Sequence, residues 1–334
     1  MTAADSSFVP NDPTLAPNDP TLAPSGSSLA PGDSSLGPAG TPRPGPVPGK
    51  APIGVGRALV AGLRRNRLML AGLVVLVLMV GFCFLGPVFY HSDQTNASLA
   101  DQTLPPGPGH PLGTDAVGYD QLGRLMLGGQ SAIEIGLGAA LLAVVLGTAW
   151  GAVAGYFGGA VDAMMMRVVD AMLAIPAILL LLVLSTIWHP SVPKLIVILG
   201  LLAWLGPARF VRGETLTIRV RDYVKAARLM GARAPRIIVR HVLPNTVGTI
   251  MVNATFQVAD AILAVATLSY LGLGLPPPAA TWGGMLSSGL DYVQAGYWWL
   301  VYPPGIAIVL VVAAFYLIGD GLREIFDARL RTLR

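Results

Sequence analysis

The chain has 334 residues, of which 53% are apolar and only 12% are Asp, Glu, Lys or Arg. A soluble domain contains about 45–50% apolar and about 25% charged residues, so this chain differs from one chiefly by lacking charge. That shortage argues against a soluble enzyme. The single cysteine, Cys83, cannot form a disulfide within the chain or a thiolate metal cluster. A net charge of +4 leaves nucleic acid open as a partner until the positive charges are located.

The first fifty residues form a distinct segment that is rich in Pro, Ser and Gly. Residues 11–17 are repeated without change as residues 18–24, and degenerate copies follow. Each repeat contains proline, which excludes the coiled coil that a seven-residue period would otherwise indicate. Few aromatic or β-branched residues are available to build a core, so the sequence predicts a disordered tail over residues 1–50. The tail also lacks the basic start and apolar run of a signal peptide.

Six apolar stretches follow, each close to the 20 or so residues that a helix needs to cross about 30 Å of hydrocarbon. They predict an all-α membrane protein with six transmembrane helices. Residues 51–67, which precede the first stretch, mix apolar residues with arginines and predict an amphipathic helix along the membrane interface. The six predicted spans are residues 68–89, 131–156, 168–188, 195–211, 246–271 and 297–318.

The Lys and Arg residues orient these spans, because cytoplasmic loops retain positive charge. Of the 22 Lys and Arg residues, 20 fall on one side of the predicted membrane, whereas only Arg124 and Lys194 fall on the other. The sequence therefore predicts that both termini are cytoplasmic. Positive charge here indicates topology and not nucleic-acid binding.

Nearly half of the inner cations lie at or beside the predicted loop between the fourth and fifth spans, residues 212–245. Apolar residues at i, i+3, i+4 and i+7 predict a short amphipathic helix there. A basic helix of this kind binds either anionic lipid headgroups or a groove on a cytoplasmic protein. The two interpretations are about even, although the small Ala226-Ala227 pair favours insertion into a groove. The apolar stripe consists of Tyr223, Ala226, Ala227 and Met230.

The same loop carries signals for a turn and a second short helix. Gly231 can adopt a positive φ and end the first helix, and Pro235 suits the first turn of the second. We expect Leu243-Pro244 to end the second helix, because a residue before proline is pushed out of the α region. The prediction is two short helices joined by a glycine turn.

Two stretches of this loop match a known motif in residue type and in spacing. Residues 223–231 read YVKAARLMG and residues 236–245 read RIIVRHVLPN, which resembles the EAA loop of binding-protein-dependent ABC importer permeases. Further stretches at residues 110–115, 155–170 and 269–283 resemble the dipeptide, oligopeptide and nickel branch of that family, as its C-type permease subunit. The resemblance extends from about residue 55 to the end of the chain.

The resemblance implies that the loop couples the chain to a separate ATPase, which favours protein over lipid as the loop's partner. Two positions depart from the family: Lys225 stands where Glu usually precedes the two alanines, and Tyr119 stands where Arg is common. The residues implied in coupling are Tyr223, Lys225, Ala226, Ala227, Arg228, Gly231, Arg236, Arg240, His241, Leu243 and Pro244.

The resemblance also implies a function and a set of partners. The chain would be a transport subunit, not an enzyme, that forms a path for small peptides across a bacterial cytoplasmic membrane. Its partners would be a second homologous permease, two ABC ATPase subunits that bind ATP and Mg, an extracytoplasmic substrate-binding protein and the lipid bilayer. The chain itself has no complete phosphate-binding loop, and we expect no cofactor or metal in it. Within the family, glutathione and nickel or other metal chelates are alternative substrates.

Three acidic residues lie within the predicted spans or at their ends, where a charged side chain costs about 2.5–3.5 kcal/mol on insertion scales. Glu134 and Asp170 lie near span ends, so we expect structural pairing with Arg124 or Arg167. Asp260 lies near the middle of the fifth span and is the candidate for the translocation path or for a contact between subunits. These acids keep a secondary transporter or channel as the alternative class, although the sequence shows no internal repeat expected of a secondary transporter.

Three glycines recur at four-residue intervals in the second span, at Gly147, Gly151 and Gly155. Small residues at this spacing let another helix backbone approach closely, which drives helix association in lipid. They predict a helix interface and not a chemical site.

Overall fold

The computed structural model describes residues 66–93 and 97–332, with side chains as far as residue 326. By contacts between Cα atoms the chain divides into Met1–Ala51 and Pro52–Arg334, and all described residues belong to the second unit. The predicted tail, residues 1–50, and all but the end of the predicted interfacial helix, residues 51–67, lie outside the described residues. Both stay predictions.

The described residues form α-helices, short 3-10 and π-helical turns and connecting segments, and they contain no β-strand. This confirms the all-α class for this part of the chain. Two 3-10 turns occur at Leu99–Asp101 and Trp298–Leu300, and a π-helical turn occurs at Ile238–Val242. The α-helices are α1 (Arg67–Phe89), α2 (Gln121–Phe157), α3 (Gly159–Leu173), α4 (Ala177–Ile187), α5 (Val192–Ala203), α6 (Leu205–Ile218), α7 (Asp222–Leu229), α8 (Ala234–Ile237), α9 (Leu243–Tyr270), α10 (Trp282–Val293) and α11 (Tyr302–Thr332).

Four stretches are long and apolar enough to cross a membrane as single helices: Arg67–Phe89, Gln121–Phe157, Ala234–Tyr270 and Trp298–Phe326. Two helix pairs meet the same criterion together but are bent, α3 with α4 by 76° and α5 with α6 by 44°. By length and composition the described chain therefore has four spans, or six if each bent pair crosses once. Each predicted span overlaps one of these helices or pairs.

The helices differ from three predicted spans, of which 131–156 and 168–188 are the first two. α2 begins at Gln121, because Asp120 accepts a hydrogen bond from the backbone N–H of Gly123 at 2.8 Å and caps the helix ahead of its apolar stretch. The stretch 168–188 is not one helix. Pro176 has no N–H to donate and separates α3 from α4.

The predicted span 195–211 is likewise two helices, which meet at Trp204. Pro207, in the first turn of α6, cannot donate a hydrogen bond to the carbonyl of Ala203 four residues earlier. Gln257 of α9 supplies the missing donor, with its Nε2 2.7 Å from the Ala203 oxygen. The bend is thus stabilised by a neighbouring helix, and α6 continues to Ile218, past the predicted end of the span.

α2 and α6 approach each other closely along the three glycines. A Cβ built on Gly147 would lie 2.6 Å from the carbonyl oxygen of Trp204, and one built on Gly155 would lie 2.9 Å from that of Arg212. A Cβ built on Gly151 would lie closer still to the carbonyl oxygen of Ala208. The predicted helix interface is confirmed, and its partner is α6.

The remaining long helices, α1, α9 and α11, pack with α2 around a shared apolar core. Trp282 of α10 enters this core, and its Nε1 donates a hydrogen bond to the carbonyl of Leu125 at 2.8 Å. Cys83 is fully buried there and packs against Gly129, so it serves as apolar filling. Other buried members of the core are Ile133, Val258, Ile262 and Val311.

Gly151→Ala is expected to weaken the contact between α2 and α6, because the added methyl group overlaps the backbone of Ala208 and overpacking costs about 1–3 kcal/mol. The apparent thermal midpoint of the purified chain in detergent should fall. Gly213→Ala in α6 is the matched control, because nothing lies within 4 Å of its added methyl group. Equal midpoints for the two variants would contradict the packing assigned to Gly151.

Candidate functional site

The chain between α6 and α9 forms a basic loop, residues 219–242. It contains α7, α8 and the π-helical turn Ile238–Val242, which leads directly into α9. The basic loop is shorter than the predicted 212–245, because α6 extends to Ile218 and α9 already begins at Leu243.

Gly231 ends α7, as the sequence predicts. Its φ is +81°, a conformation that glycine adopts readily. The N–H groups of Gly231 and Ala232 donate to the carbonyls of Arg228 and Ala227 at 2.9 and 3.0 Å, which are the two bonds of a Schellman motif. Nothing lies within 4 Å of a Cβ built on Gly231. The glycine is therefore required by its backbone conformation and not by a lack of space.

The prediction that Leu243-Pro244 ends the second helix is wrong, because α8 continues through the π-helical turn into α9. The N–H of Leu243 donates to the carbonyl of Ile238, five residues earlier. This wider turn relieves the clash between the ring of Pro244 and the carbonyl four residues before it. The side chain of Asn245 also donates to the carbonyl of His241 at 2.6 Å. The second half of the basic loop is thus a continuation of a long helix.

The buried face of α7 differs from the predicted apolar stripe. Val224, which the stripe omits, is 0% exposed, whereas Met230 is 81% exposed. Tyr223 and Ala226 are exposed as well, and Ala227 is the one stripe member that is buried. The residues around α7 decide this orientation, because Val224 and Ala227 meet an apolar cluster supplied by other helices.

That cluster joins the basic loop to α2 and α6. Arg228, predicted to belong to the coupling surface, folds back onto α2: its Nε donates to the hydroxyl of Tyr156 at 3.2 Å, and its guanidinium lies 4.7 Å from the ring centroid. Arg219 donates from Nη1 to the carbonyl of Gly155 at 3.2 Å. Both arginines therefore anchor the loop to the end of α2. The buried members of the cluster are Tyr156, Ile218, Val224, Ala227, Ile237 and Val242.

The outward surface of the basic loop combines exposed apolar side chains with positive charge. Leu229 is 89% exposed, next to the exposed Met230. Nζ of Lys225 lies 3.4 Å from Oδ1 of Asp222 in an exposed pair. The ring centroids of His241 and Tyr223 are 6.2 Å apart. Besides Arg228, which contacts Tyr156, four exposed arginines of the loop take part in no ion pair within the described chain: Arg221, Arg233, Arg236 and Arg240.

Two acid–arginine pairs connect α3 to α6. Asp170 lies 2.5 Å from Arg209, so the expected pairing with Arg167 is wrong. Asp162 and Arg212 form a second pair with N–O distances of 2.5 and 2.7 Å. Sequence reasoning missed both pairs, because the partners are 39 and 50 residues apart and no local spacing relates them.

Glu134 does not pair with Arg124, contrary to expectation. Glu134 is exposed on α2 and has no hydrogen bond or ion pair within the described part of the chain. Arg124 instead lies 3.5 Å from Asp115, and its guanidinium stacks 4.6 Å from the ring centroid of Tyr119. Tyr119, one of the two departures from the family pattern, therefore provides a stacking surface for Arg124.

Asp260 is exposed on α9 and accepts a hydrogen bond from the hydroxyl of Tyr316 on α11 at 2.9 Å. No Lys or Arg among the described residues forms an ion pair with it. An acid at bilayer depth needs an aqueous cavity or a partner, so Asp260 remains the candidate for a path or subunit contact.

The connection between α1 and α2 is organised around Asp120. The hydroxyl of Tyr90 and Nδ1 of His110 lie 3.1 and 3.0 Å from its Oδ1, and its Oδ2 caps α2. Burial, and then the negative charge of Asp120 together with their hydrogen bond, raise the pKa of Tyr90 to about 12. The phenol therefore stays protonated at physiological pH, and it links the end of α1 to the start of α2.

Comparison with known proteins supports this architecture. Residues 147–332 match the family described as the binding-protein-dependent transport system inner membrane component, and residues 59–106 match the N-terminal TM domain of oligopeptide transport permease C. The chain belongs to the family of binding-protein-dependent transport system inner membrane components. The family resemblance deduced from the loop and the flanking motifs is confirmed.

Individual relatives match along most of their length. The chain is 38% identical to the dipeptide transport system permease protein DppC of Bacillus subtilis, over 80% of this chain and 84% of the relative. It is 36% identical to the oligopeptide transport system permease protein OppC of the same organism, over 80% and 88%. A probable D,D-dipeptide transport system permease protein of Escherichia coli is 34% identical, over 82% and 92%. The similarity therefore extends well beyond the loop motif.

Tyr156→Ala is expected to loosen the basic loop, because it removes both the buried ring and the partner of Arg228. Truncation of a buried aromatic residue costs about 3–5 kcal/mol, so amide hydrogen exchange in α7 should accelerate at least about ten-fold. Tyr156→Phe keeps the ring and loses only the hydroxyl, so its effect should be smaller. Unchanged exchange in Tyr156→Ala would contradict the anchoring role.

Proposed function

We propose that this chain is a permease subunit of an ABC importer for small peptides, and that the basic loop is its contact with an ATPase. Each bent helix pair crosses the membrane once, which gives six spans with both termini and the basic loop in the cytoplasm. The relatives named for dipeptide and oligopeptide transport support peptides as the substrate class. The distribution of Lys and Arg supports this orientation.

The outward surface of the basic loop is the observation that carries the proposal. Exposed Leu229 and Met230 beside unpaired arginines suit a partner groove with an apolar floor and acidic edges. Lys225 stands where the family usually has Glu, so the partner should present an acid at this position.

The length of the helix behind the loop favours a protein partner over lipid. The stretch Ala234–Tyr270 has 37 residues, which corresponds to about 55 Å of helix, whereas the hydrocarbon core is about 30 Å thick. A helix whose far end lies at the outer interface therefore carries the basic loop well beyond the inner headgroups. A surface at that distance meets a soluble domain.

The contacts of the basic loop explain how movement of the loop is transmitted to the membrane helices. α7 is held to the end of α2 by Tyr156, and the second half of the loop continues into α9. Movement of the loop therefore moves α2 and α9 together. In the proposed complex, ATP and Mg bind to two ATPase subunits, and a second homologous permease completes the path. A binding protein delivers the peptide from outside.

Purification of the affinity-tagged chain from its own membranes tests this proposal. We expect two ATPases and a second permease to copurify, and the reconstituted complex to take up dipeptides or tripeptides only with ATP and the binding protein. Uptake driven by an ion gradient through the chain alone would support a secondary transporter or channel. Uptake restricted to glutathione or a metal chelate would show that small peptides are the wrong substrate class.

Gly231 provides a test of coupling in the complex. Gly231→Val is expected to lower ATP-dependent uptake several-fold more than it lowers ATP hydrolysis, because a β-branched residue is strained at a φ of +81°. Gly231→Asn is the matched control, because Asn tolerates the left-handed region. Gly231→Asp shares that tolerance and adds a negative charge, so comparison with Asn isolates the charge. Full uptake by an intact Gly231→Val complex would contradict the coupling role.

A further inference from the structure

One side of α9 carries four polar residues among apolar ones. Asn253, Gln257, Asp260 and Thr267 follow one another at intervals of four, three and seven residues, which places them on the same side of the helix. The opposite side is apolar and packs toward α2, with Val258, Ile262 and Val265 buried.

This polar side of α9 is open between two neighbouring helices. Tyr316 of α11 borders it on one side through its hydrogen bond to Asp260. On the other side, the hydrogen bond from Gln257 to the carbonyl of Ala203 marks the contact with α5. Asp260 and Thr267 are exposed.

Negative charge on this open side has no counterion within the described chain. Asp260 has the phenol of Tyr316 as its hydrogen-bond partner and no cation. Glu214 of α6, a second acid, lies 3.5 Å from the hydroxyl of Thr249 on α9. The two arginines of α6 are already paired with the aspartates of α3. The open side therefore attracts a cation from outside the chain.

In the proposed topology, Asp260 lies near the middle of the hydrocarbon core. It precedes the end of α9 at Tyr270 by ten residues, or about 15 Å of helix, which is half of the hydrocarbon thickness of about 30 Å. An ionisable residue at this depth faces a water-filled cavity or pairs with another group.

We propose that Asp260, oriented by Tyr316, binds the α-ammonium group of a peptide in transit; this inference rests on the proposed function. Every peptide with a free amino terminus carries this group, and its pKa of about 7.7–8.0 keeps much of it protonated near neutral pH. Tyr316, against which Phe256 packs at a ring-centroid distance of 5.4 Å, donates to Oδ1 and leaves Oδ2 for the ammonium group.

The neighbours of Asp260 suit a short peptide that lies along α9. Asn253 and Thr267 are each seven residues from Asp260, or about 10 Å, which equals about three residues of extended chain. A single carboxylate also binds the peptide weakly enough for it to leave again, which transport requires. Tyr316 acts as a positioning residue in this arrangement.

The test uses the complete reconstituted complex with its ATPases, partner permease and binding protein. Uptake of a free dipeptide and of its N-acetylated form is measured for the wild type, Asp260→Asn, Asp260→Glu and Tyr316→Phe. We expect Asp260→Asn to lower uptake of the free dipeptide about ten-fold and to leave the N-acetylated form at its wild-type rate. Asp260→Glu keeps the charge and should retain most uptake, and Tyr316→Phe should give a smaller loss confined to the free dipeptide.

Equal losses for both peptides in an assembled Asp260→Asn complex would overturn the inference, as would dissociation of the two permeases, which would assign Asp260 to a subunit contact. If the binding protein rejects the N-acetylated peptide, uptake of the free dipeptide by Asp260→Asn is compared with uptake by Asp260→Glu. An equal loss of uptake in the two variants overturns the inference. A wild-type complex that takes up no peptide overturns the proposed function as well. Basal ATP hydrolysis separates these cases, because it reports assembly independently of the peptide.

Discussion

The close approach of the α2 and α6 backbones is the contact on which the other features depend. Gly147, Gly151 and Gly155 have no side chains to separate the helices, so the end of α2 comes to lie beside the start of the basic loop. Tyr156, at this end of α2, accepts a hydrogen bond from Arg228 of the loop. The glycines thus place Tyr156 where it can hold the basic loop.

Charge is arranged differently on the two sides of α6. On the side that faces α3, Arg209 and Arg212 form ion pairs with Asp170 and Asp162 at 2.5 Å. These ion pairs connect the two bent helix pairs. On the open side of α9, in contrast, Asp260 is held by a phenol alone. A paired carboxylate stabilises packing, whereas one without a counterion can interact with a passing cation. The geometry of the neighbouring helices, and not the residue type, thus gives these aspartates different partners.

Local patterns predicted most of what depends on neighbouring residues in the chain. Long apolar stretches indicated an all-helical membrane protein, Gly231 indicated the turn that ends α7, and the flanking motifs identified the family. Apart from the cap at Asp120 and the π-helical turn before Leu243, prediction failed where a group distant in the sequence intervened. The inner face of α7 is set by Tyr156 and Ile218, the bend at Trp204 is stabilised by Gln257 of α9, and no spacing rule indicates either partner.

The sequence by itself determined that the protein lies in a membrane, its helical class, its family and the location of the basic loop. These features follow from composition, from the length of apolar stretches and from short motifs, all of which can be recognised without knowing which helices contact each other. The continuation of α8 into α9 escaped prediction for a local reason, the π-helical turn before Leu243. Only the tertiary structure decided which side chains of the loop face outward, and that Asp260 keeps an exposed carboxylate while Asp170 is paired. Those outcomes depend on contacts between helices far apart in the chain. Such contacts are set by backbone approach and burial, which a linear pattern does not encode.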